Sequence, residues 1–270
     1  MKHWLSKNRL KSFVQGGVAL LFLLPLLWMV SASLHPAGVP LPSSLRLFTA
    51  WPTLENYWQV WALTPLGRYA FNSIVAVALG VPITLVTASW AGLAISRLPL
   101  ASQRRWIIIS LAVLMVPGIA LWMTRFFLYR AFGLFDTVWA LIAPAFMGSS
   151  PFYVLIFYRA FRRVPAGIFD AAQSDGANIL QIWGLVVMPM IRPTIIGVGI
   201  LAFITYWGDF LSPLLYLRTQ SHFTLPVALQ LFQQLSRTEW ALLMAAAVWA
   251  SFIPVTLFLF VQPYFNKNFD

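Results

Sequence analysis

Acids are scarce in this chain, seven Asp and Glu against 18 Lys and Arg, so each one is a candidate for chemistry. Asp170 and Asp175 bracket Ala171, Ala172, Gln173 and Ser174, and Gly176 and Ala177 follow. Two carboxylates on so short a segment can accept hydrogen bonds from another surface or pair with its cations. Asp209 is different, because it follows Tyr206, Trp207 and Gly208 inside an otherwise apolar stretch. An ionisable group in lipid is expensive and is a functional candidate by default. Aromatic rings stack on the apolar faces of sugars and carboxylates accept hydroxyl hydrogen bonds, so Tyr206, Trp207 and Asp209 suit a polyhydroxylated solute. Asn72, Trp122 and Arg125 are candidates for lining the same path. Structural alternatives stand beside these: Asp209 paired with Arg125 or capping a kink, Asn72 in a helix–helix hydrogen bond, Trp122 and Arg125 as interfacial anchors.

Other chemistries have no residues to carry them. The absence of cysteine removes disulfides, thiolate metal sites and cysteine nucleophiles. His3, His35 and His222 lie far apart and none has metal-ligand spacing, so no metal site is expected. No GxxxxGK[ST] phosphate loop is present, and no clustered Ser–His or His–Asp–Glu constellation suggests an enzyme. The expectation is a chain without catalytic residues and without a cofactor of its own.

The elements that must position these residues are membrane spans. Sixty per cent of the chain is hydrophobic and 9% charged, against roughly 25% charged in soluble domains. A bilayer core about 30 Å thick needs roughly 20 apolar residues per helix. Such stretches fall at Phe13 to Ser33, Tyr69 to Ile95, Trp106 to Tyr129, Thr137 to Phe157, Thr194 to Leu217 and Trp240 to Gln262. The predicted fold is an all-α membrane protein, a bundle of six transmembrane helices: a tail over 1–12, a membrane domain over 13–262 and a tail over 263–270. Pro25, Pro82, Pro117, Pro144 and Pro254 predict kinked helices, and Gly16, Gly17, Gly80, Gly92, Gly197 and Gly199 predict close helix packing. Phe13 to Val30 is too long an apolar run for a cleaved signal, so the first helix is expected to remain as an anchor.

Charge sets the expected orientation. Lys2, Lys7, Arg9, Lys11, Arg97, Arg104, Arg105, Arg159, Arg162, Arg163, Arg192 and Lys267 fall on one side, twelve cations, against Arg46, Arg68, Arg125, Arg130, Arg218 and Arg237 on the other. The positive-inside rule then puts both termini in the cytoplasm of a multi-pass protein. The net charge of +11 is read as this orientation signal and not as a nucleic-acid footprint. Trp51, Trp58, Trp61, Trp139 and Trp240 are expected at outer interfaces.

Between the fourth and fifth spans, the loop 162–193 is too long for a turn. Pro165 suits a first helical position and Gly176 a left-handed helix end. Ala171 and Ala172 offer a small-residue face, and Ile179, Leu180, Ile182, Trp183 and Val186 form an apolar stripe ended by Pro189 and Pro193. The segment reads as a docking elbow at the membrane surface.

Asp170-Ala-Ala-Gln-Ser-Asp175-Gly176-Ala177, followed by Met188-Pro189-Met-Ile-Arg-Pro193, resembles the EAA motif of bacterial ABC-transporter inner-membrane permeases, EAAxxDGA and then LPxxxP. Asp170 stands for the usual Glu and Met188 for the usual Leu. Leu54-Glu-Asn-Tyr57, Phe71-Asn-Ser73, Gly133-Leu-Phe-Asp-Thr137, Trp207-Gly-Asp-Phe-Leu-Ser-Pro-Leu214 and Thr224-Leu-Pro-Val227 are similar to the carbohydrate-import, MalG-like branch. That branch often reads WNDFLWPL, from which Gly208 and Ser212 depart. The resemblance covers about Phe13 to Gln262. It implies a permease subunit in a bacterial or archaeal plasma membrane that moves a sugar or sugar-like solute. The implied partners are a sister permease, two ATPase subunits carrying ATP and Mg, an extracytoplasmic solute-binding protein and membrane lipid, with no nucleic acid. It implies that Asp170, Ala171, Ala172, Ser174, Asp175, Gly176 and Ala177 form the coupling helix that docks on an ATPase. A polyol, a glycerophosphodiester or a polyamine remain alternative solutes, and a secondary transporter the alternative class.

Overall fold

The computed structural model of the protein describes residues 2–38, 51–235 and 239–266. Arg46, Arg237 and Lys267, used above for orientation, lie outside the described residues. All regular structure among the described residues is helical. Four stretches among the described residues are long and apolar enough to cross a membrane: Val14–Ser33, Leu66–Arg97, Val138–Phe161 and Trp240–Pro263. Two further crossings arise if bent pairs each count as one, Leu100–Leu114 with Gly118–Ala131 and Ile179–Met190 with Arg192–Trp207.

Those bends correct the expected outline of the third and fifth spans. Trp106 to Tyr129 is not one kinked helix: it breaks at Met115–Pro117 and turns by 91°. Pro117 has no N–H to continue the ladder and disfavours helical backbone in the residue before it. The helix Arg192–Trp207 likewise stands at 89° to Ile179–Met190, with the turn at Ile191 and Pro193 just beyond. It ends at Trp207, and a separate short helix, Leu211–Tyr216, follows. The predicted fifth span therefore contains a break at Gly208 to Phe210.

The chain divides into two compact units, Met1–Arg68 with Leu225–Asp270, and Tyr69–Thr224. In the first, the helices Lys2–Ser33, Glu55–Leu63 and Leu225–Leu235 pack on Trp240–Asn266. Asn56 is fully buried there and its Nδ2 donates to the carbonyls of Ser33 at 2.7 Å and His35 at 2.6 Å, closing the end of the first helix. Trp240, the first residue of the last helix, is 6% exposed, tilted against the His35 ring and packed with Ala32. Trp51, Trp58, Trp61 and Trp139 are exposed.

The second unit holds the larger core, built where Leu66–Arg97 and Arg192–Trp207 meet Pro151–Phe161, with Ala88, Phe157, Phe161, Val187, Val198 and Ala202 at its centre. Two glycines let backbones touch. A Cβ at Gly92 would lie 2.7 Å from Phe157 Cβ and 2.8 Å from the Tyr158 nitrogen, and one at Gly80 would lie 2.8 Å from the Tyr206 ring. A Cβ at Gly16, Gly17 or Gly197 would meet nothing within 4 Å, so the expected close approach does not occur at those positions among the described residues.

Candidate functional site

The elbow is a short helix, Ala166–Ser174, whose C-terminal end the sequence closes locally. Pro165 is the N-cap and not the first helical residue, one position earlier than expected. At the other end the Ala177 N–H donates to the Ala172 carbonyl and the Gly176 N–H to that of Gln173, both at 3.0 Å. These are the two bonds of a Schellman cap, and they require the left-handed backbone that Gly176 adopts at φ 81°. Asn178 at once starts the next helix with a capping box, its Oδ1 accepting from the Gln181 N–H and its own N–H donating to Gln181 Oε1.

The elbow helix has two faces. Phe169 at 3% exposure and Ala172 at 8% turn into the core of the second unit. Asp170, Ala171, Ser174, Asp175 and Gly176 are exposed. Neither carboxylate has a hydrogen bond or ion pair with any described residue, while Ser174 Oγ donates to the Asp170 carbonyl at 3.0 Å. Ala172 is therefore corrected from docking face to anchor, and Ala177, half-buried, packs with it. Two residues not foreseen as a pair hold the inner face: the Arg97 guanidinium lies 4.2 Å from the centre of the Phe169 ring. Of the apolar stripe, Ile182, Trp183 and Val186 pack inward. Ile179 and Leu180 are exposed and line an apolar groove of about 270 Å³ with Trp90, Leu93, Ala94, Arg97 and Trp183.

The six residues proposed for a solute path do not form one cluster. Asn72 Nδ2 donates to the carbonyls of Ser221 and Phe223, both at 2.9 Å, a structural bond to a loop and not the helix–helix bond named as its alternative. Asp209 is not within a helix. It sits in the break after Gly208, half-buried, and its Oδ1 accepts the Ser212 N–H at 3.0 Å. That is the kink-capping role, and no ion pair joins it to Arg125. Both remain within electrostatic reach of the Tyr129 and Tyr216 phenols. Trp122 accepts from Tyr216 Oη through its carbonyl at 3.3 Å and lines a cavity of about 580 Å³ with Ile119, Met123, Phe126, Leu214, Leu215, Tyr216 and Arg218. Trp207 stacks on Phe203 with ring centres 5.8 Å apart.

Tyr206 belongs to a hydroxyl cluster invisible in sequence. Its Oη lies 2.7 Å from Ser149 Oγ and 3.4 Å from Thr84 Oγ1, and the latter two hydroxyls are bonded to each other. Ser149 sits at φ 56°, in the interruption of the Val138–Phe161 crossing between the short helical turn Ala143–Met147 and Pro151–Phe161. A non-glycine residue there is strained by about 1–2 kcal/mol.

A second constellation was also missed. The Asp136 carboxylate accepts from the backbone N–H of Arg218 at 2.8 Å and of Thr219 at 2.9 Å, from Thr219 Oγ1, and from His222 Nδ1 at 3.2 Å. Desolvation would raise this carboxyl, but the bonds from Thr219, Arg218 and His222 outweigh it and hold it well below the usual carboxylate range. The partners are 82 to 86 residues away in the chain, so no local spacing announces them. Among the described residues no group of three or more His, Asp or Glu could hold a metal ion.

No protein-family model matches the chain. It is 32% identical over 217 residues to the trehalose transport system permease protein SugB of Mycobacterium tuberculosis, covering 80% of this chain and 78% of that one. It is 30% identical over 239 residues to the sulfoquinovosyl glycerol transport system permease protein SmoH of Agrobacterium fabrum, covering 88% and 84%. Its fold matches a chain from the crystal structure of a bacterial ABC transporter involved in the import of the acidic polysaccharide alginate, with a TM-score of 0.76, 22% identity and coverage of 97% and 96%.

Proposed function

The chain belongs to the MalG-like permease family of carbohydrate-uptake ABC transporters, and from that premise we propose that it forms, with a sister permease, the path for a sugar or oligosaccharide handed over by an external binding protein. It is a multi-pass, non-catalytic translocation subunit and works in a complex with other transporter subunits. The relatives named for trehalose and sulfoquinovosyl glycerol support a sugar-like solute. ATP and Mg would reside on two partner ATPases, and the elbow would lie in a cleft of one of them with both termini of this chain on the same, cytoplasmic side.

The observation that carries the docking reading is the two-faced elbow. A helix this short is marginal alone, yet its C-terminal cap is closed and its inner face is locked, so Asp170, Ala171, Ser174 and Asp175 are presented in a fixed geometry. Two carboxylates left without partners among the described residues are available to basic groups on another protein. A solute path calls for aromatic and polar groups beside an open cavity. Trp122 beside the cavity, with Arg125 and Asp209 near the same tyrosines, is the arrangement best suited to it, while Asn72 holds a loop and Tyr206 a helix break.

The test is extraction from the native membrane in mild detergent, followed by mass measurement of the intact complex. A second permease and two copies of an ATPase are expected. A homo-oligomer without a nucleotide-binding partner overturns the reading.

A further inference from the structure

We propose that the contact between Arg97 and Phe169 is the joint through which movement of the elbow reaches the membrane helix Leu66–Arg97. This rests on the docking reading above and adds to it the residue pair that passes the motion on. Arg97 is the last residue of a 32-residue helix, so anything that grips it grips the end of a lever. Its guanidinium stands over the Phe169 ring at 4.2 Å, and a cation is also favoured at a helix C-terminus. Phe169 is the one large side chain of the elbow that is buried, next to Asp170 and Ala171, which face outward. Pulling on the outer face therefore drags the ring with it.

The surroundings support this route. Ala172, the elbow's other inward residue, offers only a methyl group. Leu93, one turn before Arg97, and Ile95, two residues before it, share the buried cluster that holds Phe169. Five residues before Arg97, Gly92 brings the same helix into backbone contact with Phe157 and Tyr158, a point about which its end can pivot. Arg97 itself is exposed and has no carboxylate within ion-pair distance among the described residues, so the ring is its contact. A cation on an aromatic face resists separation yet tolerates sliding, as a joint between two moving helices requires.

The experiment uses the full complex in lipid vesicles, with solute uptake and ATP hydrolysis measured together and expressed as solute moved per ATP. Arg97→Met keeps the aliphatic stem and removes the charge; Phe169→Leu keeps the bulk and removes the ring. Each is expected to lower the ratio roughly threefold to tenfold, the range of one cation–ring contact, with both ATPases still in the purified complex. The double variant should be no worse than either single one, and Arg97→Lys should restore most of the ratio. A ratio within about twofold of wild type in Arg97→Met, or single effects that multiply in the double variant, overturns the joint. Loss of the ATPases from the Arg97→Met complex also overturns it, since the contact would then only hold the elbow's shape. Failure of the docking reading is distinct: the wild-type complex itself would lack ATPase.

Discussion

Two acidic turns in the same unit are built in opposite ways. At Asp136 the fold consumes the carboxylate: backbone and side-chain donors from Arg218, Thr219 and His222 converge on it and tie two distant loops together. At the elbow the fold leaves the carboxylates over. Asp170 and Asp175 accept nothing from the described chain, and the turn is closed by backbone bonds from Gly176 and Ala177. Asp209 falls with the first kind, since its oxygen caps the helix Leu211–Tyr216. An acid that holds shape and an acid kept for another molecule look alike in sequence and are separated only by what lies around them.

The sharpest way to break the comparison is to reverse the unused charges. Asp170→Lys with Asp175→Lys should leave the chain folded and reduce ATPase recovered with the complex by about tenfold or more, as expected for like charges facing a basic partner. Recovery at the wild-type level would make the elbow acids mere solvated surface. Gly176→Val should come next, because the left-handed backbone costs a side chain about 1–2 kcal/mol and the cap positions both acids. Gly176→Asn should be milder than Gly176→Val in the same pull-down.

At Asp136 the expected damage is to stability and not to docking. Asp136→Ala removes the shared acceptor of four bonds and should lower thermal stability of the detergent-solubilised protein by about 1–2 kcal/mol while ATPase recovery is unchanged. The pH dependence follows from its depressed carboxyl. Because the folded group ionises below the unfolded one, its contribution is complete above the unfolded value of about 4 and is lost as pH falls from there towards the folded value. The stability difference between wild type and Asp136→Asn should therefore be flat from pH 7 to 5 and shrink below about pH 4. A difference that stays undiminished well below pH 4 would contradict the hydrogen-bonded knot. Smallest is Asp209→Ala, which removes a cap worth about 1 kcal/mol, whereas Asp209→Asn retains an acceptor and should be near neutral in melting temperature. If Asp209→Asn nevertheless cuts uptake severalfold, Asp209 serves the solute as well as the helix.

Much of the elbow was legible because its determinants are local. Gly176 marks the left-handed closure, and Asp170 and Asp175 are polar by type whatever surrounds them. Which of Ala171 and Ala172 faces outward was not legible, since a small-residue pair gives no phase until Phe169 locks one side into the core. The third and fifth helices misled for another reason: hydropathy records that a stretch can lie in lipid, not that Pro117 or Gly208 ends its helix there. The hydroxyl cluster of Thr84, Ser149 and Tyr206 left no trace, because Ser and Thr in membrane helices usually bond their own backbone.

The sequence by itself determined that this is a helical membrane protein with a separate elbow, because burial in lipid demands long apolar runs and a helix end demands its cap, both short-range conditions written in adjacent residues. Only the tertiary structure decided which acids are spent and which remain free, that Arg97 meets Phe169, and that Asn72 holds the loop at Ser221 and Phe223. Those are pairings between residues far apart in the chain, and a side chain's role there is set by the partners that packing brings within about 3–4 Å.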